Sequence, residues 1–305
     1  MLHVLSIVLP IFGLIALGFA ARLSGVVSDR TGEGLSEFVF TIAVPALVFR
    51  TLTGAELPEA QPWGYWGAYF SAVAIVWALG SLAAVALFGV TRQEGVVCGF
   101  CSAQANTVFV GVPLILEAYG QPGAVPLFLL IAIHLPIMVA VASLLTEGSA
   151  ANLPRLARQL AGNPLILGIA VSATWRLLDL PVGGAFRDIV NMLAAAAAPC
   201  ALFAMGIALK RYGLAQQPRL AATITALKLL VQPALVYVLA FHVFAMPPVW
   251  AGVAVLFAAS PCGLNAYLLA ERYRTAVGVT ASAITLSTVL SIATTAFWLA
   301  VLGVR

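Results

Sequence analysis

Residues 104–113 read Q-A-N-T-V-F-V-G-V-P, and residues 260–267 read S-P-C-G-L-N-A-Y. Each stretch lies inside a long apolar run, Val96–Ala118 and Val249–Ala270, and each puts glycine, proline and an amide where a continuous helix should be. Proline has no backbone donor and clashes with the carbonyl four residues earlier, which frees groups at Phe109 and Phe257. Gly111 and Gly263 weaken the same segments. In lipid, such breaks survive only where protein or a water-filled cavity satisfies the freed backbone. Two paired interruptions therefore predict broken helices that carry a polar site, with Gln104, Asn106, Thr107, Ser260 and Asn265 as its side chains. The plain alternative is that the prolines only kink the spans and the amides bridge neighbouring helices.

The apolar setting is a property of the whole chain. Of 305 residues, 62% are hydrophobic and 9% charged, with a mean hydropathy of +1.06. A soluble domain carries about 25% charged residues, so lipid must be the outer solvent here. Runs such as Val4–Ala21 and Ala68–Val90 lack strict alternation, which favours helices over a β-barrel. The expected spans are 4–21, 35–53, 64–90, 96–118, 124–146, 163–180, 189–209, 220–243, 249–270 and 277–302. The first has no basic segment ahead of it and is followed by similar runs, so it reads as a span rather than a removable leader.

The net charge is +4. With the N-terminus outside, the inner loops hold Arg22, Arg30, Arg92, Arg155, Arg158, Lys210, Arg211, Arg219, Arg272 and Arg274. The outer side has Arg50, Arg176, Arg187, Arg305 and the acidic turn Glu56–Glu59. The basic residues thus encode topology, with both termini outside, and not nucleic-acid binding. Cys98 and Cys101 have metal-pair spacing, but no second pair or nearby His accompanies them. They read as small packing residues, like Cys200 and Cys262, and neither metal nor cofactor is expected.

The chain also matches itself at one fixed offset. Pro10 aligns with Pro164, Arg22 with Arg176, Pro45 with Pro199, Phe49 with Phe203, Glu117 with Glu271 and Tyr119 with Tyr273. The halves, 1–153 and 154–305, hold five spans each. An odd number turns the second half upside down, the inverted-repeat plan in which substrate sites lie near the midplane on interrupted helices. The fold expected is an all-α polytopic membrane protein of about ten spans, with spans four and nine broken.

N-T-x-x-x-G-x-P at Asn106–Pro113, E-A-Y-G at Glu117–Gly120 and A-S-P-C-G-L-N-A-Y-L-L-A-E-R-Y at Ala259–Tyr273 resemble the PIN-like auxin efflux carrier family. So do P-I-F-G-L-I-A-L-G at Pro10–Gly18 and M-G-I-A-L at Met205–Leu209. The resemblance covers essentially the whole chain. It is closest to bacterial members described as malonate or malate permeases, which lack the long cytoplasmic loop of plant carriers. It implies ten spans, a scaffold and a moving transport domain with elevator-type alternating access, and pairing into a homodimer; separately, Ala- and Arg-rich usage with compact loops suits a bacterial inner membrane. The resemblance also implies helix crossing at prolines, here Pro113 and Pro261, beside an amide that corresponds to Asn106 and less directly to Asn265.

Crossing half-helices present N-terminal dipoles to the cavity and favour an anion. Lys228 is the one basic residue well inside a span, which makes it either a substrate contact or a snorkelling side chain. Gln232 lies one turn later on the same face. His134, mid-span, is the candidate for proton coupling, against the simpler reading of one structural hydrogen bond. No H-E-x-x-H, G-x-S-x-G or paired intramembrane Asp is present, and His3, His134 and His242 are far apart, so an enzyme is not expected. The function expected is a secondary carrier or uniporter for a small mono- or dicarboxylate, an auxin-like acid included. The alternative is a sodium- or proton-coupled carboxylate symporter on the same scaffold.

Overall fold

The computed structural model describes residues 2–55, 63–147, 158, 161–212 and 217–304. The acidic turn Glu56–Glu59, Arg155 and Arg305 lie outside the described residues. The chain is all-helical: among the described residues the only β pairing is a single bridge between Ala105 and Cys262. The helices are α1 (Leu2–Leu23), α2 (Asp29–Thr53), α3 (Trp63–Phe88), α4 (Arg92–Ala103), α5 (Val112–Glu147), α6 (Pro164–Leu177), α7 (Gly184–Tyr212), α8 (Pro218–Val243), α9 (Pro248–Ala259), α10 (Leu264–Tyr273) and α11 (Val277–Val301). Seven helical stretches among the described residues are long and apolar enough to cross a membrane, and α6 and α9 are shorter apolar helices. Large apolar side chains such as Leu9, Leu82 and Met192 project outward, as expected where hydrocarbon is the solvent.

Local chemistry sets the helix ends. Ser28 opens α2 with a capping box to Thr31, and Thr91 opens α4 with a capping box to Glu94. Each box satisfies backbone donors that a helix start leaves free. Inside the helices, π-helical turns over Val39–Ala43, Thr107–Gly111 and Leu227–Val231 each end two residues before a proline, Pro45, Pro113 and Pro233. The extra residue in the turn absorbs the clash that the proline ring would make with the carbonyl four positions back. At Pro233 that carbonyl belongs to Leu229, and it accepts the indole N–H of Trp298 at 3.0 Å. The freed acceptor therefore has a partner, as a low-dielectric interior requires.

Two features of the fourth and fifth spans refine the sequence reading. Spans four and five meet without a loop: Val112–Glu147 is two helical stretches joined at Gly120, which is non-helical (φ 57, ψ −144) in a conformation close to glycine-only. Pro113 is not at a helix break; it sits near the start of α5, beyond the π-turn.

α1 and α7 pack closely through small residues. A Cβ at Gly206 would run into the Ile15 carbonyl oxygen and approach Phe19 N to 2.8 Å, while a Cβ at Gly18 would meet the Phe203 carbonyl. Backbone cannot rotate away as a side chain can, and close small-residue contact is what holds helices together in lipid. Gly206→Val is expected to destabilise the protein by about 1–3 kcal/mol or more, read as a lower unfolding temperature in detergent. Gly13→Val, on the same helix pair but facing open space, should leave it unchanged. At one end of this pair Arg22 binds Asp29 through two hydrogen bonds of 2.7 and 2.6 Å, and Arg211 reaches Glu33 at 3.3 Å.

Candidate functional site

The two interruptions meet. α4 stops at Ala103 because Gln104 is extended (φ −86, ψ 124), and α9 stops at Ala259 because Ser260 is extended (φ −60, ψ 146). Between the breaks, the Asn106 amide donates to the Pro261 carbonyl at 2.8 Å and the Gly263 amide donates to the Gln104 carbonyl at 3.0 Å. This is one rung of antiparallel pairing, centred on Ala105 and Cys262. It gives each broken segment the backbone partners that its own helix no longer supplies. The Cys262 amide donates to Ser287 Oγ of α11 at 3.0 Å. Gly263 allows the approach, since a Cβ there would overlap Gln104 Oε1 and stand 2.7 Å from the Ala105 carbonyl.

Beyond the rung, helix resumes in both segments. The π-turn starts at Thr107 and leads into α5, and α10 starts at Leu264. Both starts line one cleft of about 190 Å³ with Asn106, Asn265, Ser36, Phe40 and Leu268 among its walls. The volume is below the roughly 300 Å³ at which drug-sized pockets begin, so the cleft suits a small solute. Helix starts present backbone N–H groups and the positive end of the macrodipole. Asn106 is held independently of its side chain: its carbonyl accepts from Val110 and Gly111, at 3.3 and 3.0 Å. Its Nδ2 lies 3.3 Å from the thioether sulfur of Met205 on α7. Phe40 of α2 packs edge-on against Phe109, with ring centres 5.3 Å apart.

Of the residues singled out from sequence, Asn106, Thr107 and Asn265 line this cleft together. Gln104 and Ser260 are buried in the interruptions behind it, and neither is a wall residue. A Cβ at Gly111 would be 3.2 Å from Ser260 Oγ, so Gly111 makes room for the second break. Pro261 and Gly263 take part in the pairing between the two interruptions, and Pro113 does not. Lys228 does not reach the membrane surface: it is fully buried, and its Nζ donates to Gln232 Oε1 at 2.7 Å and to the Ala258 carbonyl. It does not line the cleft either. His134 sits among Tyr69, Phe70 and Phe257, with Nδ1 3.3 Å from the Tyr69 hydroxyl, away from the cleft walls. Sequence reasoning missed Ser36, Phe40 and Met205, which α2 and α7 bring to the broken segments. M-G-I-A-L around Met205 carried a signal in the sequence, but nothing there pointed it at Asn106.

Residues 3–155 and 149–299 match the family described as membrane transport protein, which accounts for nearly the whole chain. The chain belongs to that family. It is therefore a multi-pass membrane transporter, and the carrier resemblance of its proline and amide motifs is substantiated over both halves. The transporter is 31% identical over 306 residues to a Rhizobium meliloti (strain 1021) protein named "Putative malonate transporter", covering 96% of this chain and 94% of that one. It is also 26% identical over 305 residues to an "Uncharacterized transporter" of Methanothermobacter thermautotrophicus, with 97% of each chain covered.

Proposed function

We propose that this transporter moves a small organic anion, a mono- or dicarboxylate, bound in the cleft where the π-turn before α5 and helix α10 both begin. The observation that carries the reading is the convergence of two helix starts with Asn106, Thr107 and Asn265 on one small cleft. Two N-terminal dipole ends amount to roughly one positive charge facing the ligand, and amide and hydroxyl donors orient carboxylate oxygens. The name of the Rhizobium meliloti relative makes malonate the first substrate to test.

The same reading has the chain span the membrane ten times, as two inverted five-span halves, 1–153 and 154–305. Each broken pair, α4 with the start of α5 and α9 with α10, supplies one crossing. Three points support it: the fixed-offset sequence matches, the equal 12-residue lengths of α4 and α9, and the pairing of the two breaks. The unit carrying the breaks slides as an elevator against a scaffold that includes α1, α2, α6 and α7. Both termini face outward from a bacterial inner membrane, and two copies pair through their scaffolds. Sodium- or proton-coupled symport is the second reading; buried Ser and Thr hydroxyls along α11 favour keeping it, and His134 stays the candidate proton carrier.

Reconstituted transporter tests the substrate and the coupling. Current and uptake in proteoliposomes should saturate for malonate, or for one of malate, succinate, pyruvate and indole-3-acetate. Flux that persists without sodium and without a pH gradient identifies a uniporter. Flux that vanishes when either is removed identifies the coupled symporter. Silence for every acid with folded protein would reject the organic-anion reading.

A further inference from the structure

The last carbonyls of any helix have no partner within it, and α4 and α9 both end in the protein interior. One pair of side chains on a third helix serves both ends. Lys228 Nζ donates to the Ala258 carbonyl, on the last but one residue of α9, and to Gln232 Oε1 at 2.7 Å. Gln232 Nε2 in turn donates to the carbonyl of Ala103, the last residue of α4, at 2.9 Å. The chain of contacts thus runs Ala258–Lys228–Gln232–Ala103. It joins the helix ahead of one interruption to the helix ahead of the other.

Both side chains are fully buried, and α8 is shaped to present them. Lys228 lies in the π-turn Leu227–Val231, and Gln232 is the first residue after it. The turn exists because Pro233 follows, and Trp298 of α11 fixes it by donating to the Leu229 carbonyl. Cations and donors at helix C-termini offset the negative dipole end. A buried lysine in a membrane otherwise carries a large desolvation cost, so its retention asks for a role. None of these groups lines the cleft of Asn106, Thr107 and Asn265.

We propose that Lys228 and Gln232 form a positioning clamp, which holds the two interrupted segments in register by tying together the C-terminal carbonyls of α4 and α9, and which shapes the anion cleft without touching the substrate. The last clause rests on the proposed function; the clamp itself does not. Its direct readout is the rung between the breaks, the Asn106 amide to Pro261 and the Gly263 amide to Gln104.

The test is hydrogen exchange of these two amides in purified, detergent-solubilised transporter, resolved by fragmentation mass spectrometry. Lys228→Met should speed exchange at both at least tenfold, with exchange in α1 and α7 unchanged. The double exchange Lys228→Gln with Gln232→Lys keeps one cation and one amide in the same place. It should bring both rates back to within about threefold of the wild type. If Lys228→Met fails to fold, Gln232→Met, which unties Ala103 alone, must still speed exchange at Asn106 at least threefold. Unchanged exchange, or acceleration that the double exchange fails to reverse, overturns the clamp.

Binding is measured on the same proteins. A positioning role predicts that Lys228→Met weakens malonate and pyruvate by the same factor, about tenfold. A loss confined to the dianion means that the lysine meets the substrate and overturns the indirect role. Wild-type protein that binds neither acid rejects the anion reading, and the exchange rates alone then decide the clamp.

Discussion

Gly263→Val is expected to abolish transport and to lower anion affinity at least about thirtyfold, in a protein that keeps its helix content. The cause is space and not conformation. Gly263 sits at φ −82, ψ 148, which any residue adopts. Its missing side chain is what matters, since a Cβ would overlap Gln104 Oε1 and stand 2.7 Å from the Ala105 carbonyl. The Gln104 amide is the end of a side chain and can turn aside. The Ala105 carbonyl is backbone and belongs to the opposite break, so relief requires moving one broken segment against the other. Overpacking of this kind costs about 1–3 kcal/mol. Losing the Gly263 amide bond to Gln104 in a water-poor site adds about 1–3 kcal/mol for the groups left unpaired. Together these span a factor of roughly thirty to well over a thousand.

The two contacts can be separated. Gly263→Ala should be milder than valine, and adding Gln104→Ala should recover part of its loss, because only one of the two collisions is then removed. Gly13→Val, which meets open space, is the matched control in uptake and in circular dichroism. Normal uptake by Gly263→Val would mean that the two breaks need not stay in contact during transport.

How far the sequence reached follows from which signals are local. Apolar runs and the near absence of charge fix helices in lipid, because both are properties of single segments. Paired Gly, Pro and amide residues predicted broken helices at 104–113 and 260–267, and both segments are interrupted. The family resemblance places a helix crossing at Pro113 as well as Pro261. The first break comes earlier, at Gln104–Asn106, since the π-turn Thr107–Gly111 lets the helix absorb Pro113. Gly120 stands in the sequence only as part of a family motif, although its positive φ is what lets two helices join there without a loop. Lys228 was the hardest residue to read. Its partners are Gln232 on its own helix and carbonyls on α9 and, through Gln232, on α4. Main-chain acceptors leave no mark in a sequence, so a buried lysine that serves them looks the same as one facing a ligand. Met205 is hidden for a similar reason, since 99 residues separate it from Asn106.

Asn106→Ala should weaken anion binding by about 10- to 100-fold while leaving the fold and the pairing of the two breaks in place. The pairing survives because Asn106 contributes to it through its backbone: the amide donates to Pro261, and the carbonyl accepts from Val110 and Gly111. The side chain is free for other work. It lines the cleft, is 4% exposed, and has one Nδ2 contact, to the Met205 sulfur at 3.3 Å. Thioether sulfur is a weak acceptor, so exchanging it for a carboxylate oxygen is favourable. A hydrogen bond to a charged group contributes about 1.5–3 kcal/mol, which is the source of the expected factor. Asn106→Asp keeps the size and reverses the preference. Its carboxylate would face the substrate's own charge across a small cleft, and binding should fall below detection at neutral pH. The pair of variants therefore separates a donor role from a packing role. Alanine and aspartate alike sparing affinity, measured by calorimetry on folded protein, would move the binding site away from this cleft. Aspartate failing while alanine binds normally would leave a site that senses charge but takes no hydrogen bond from Asn106.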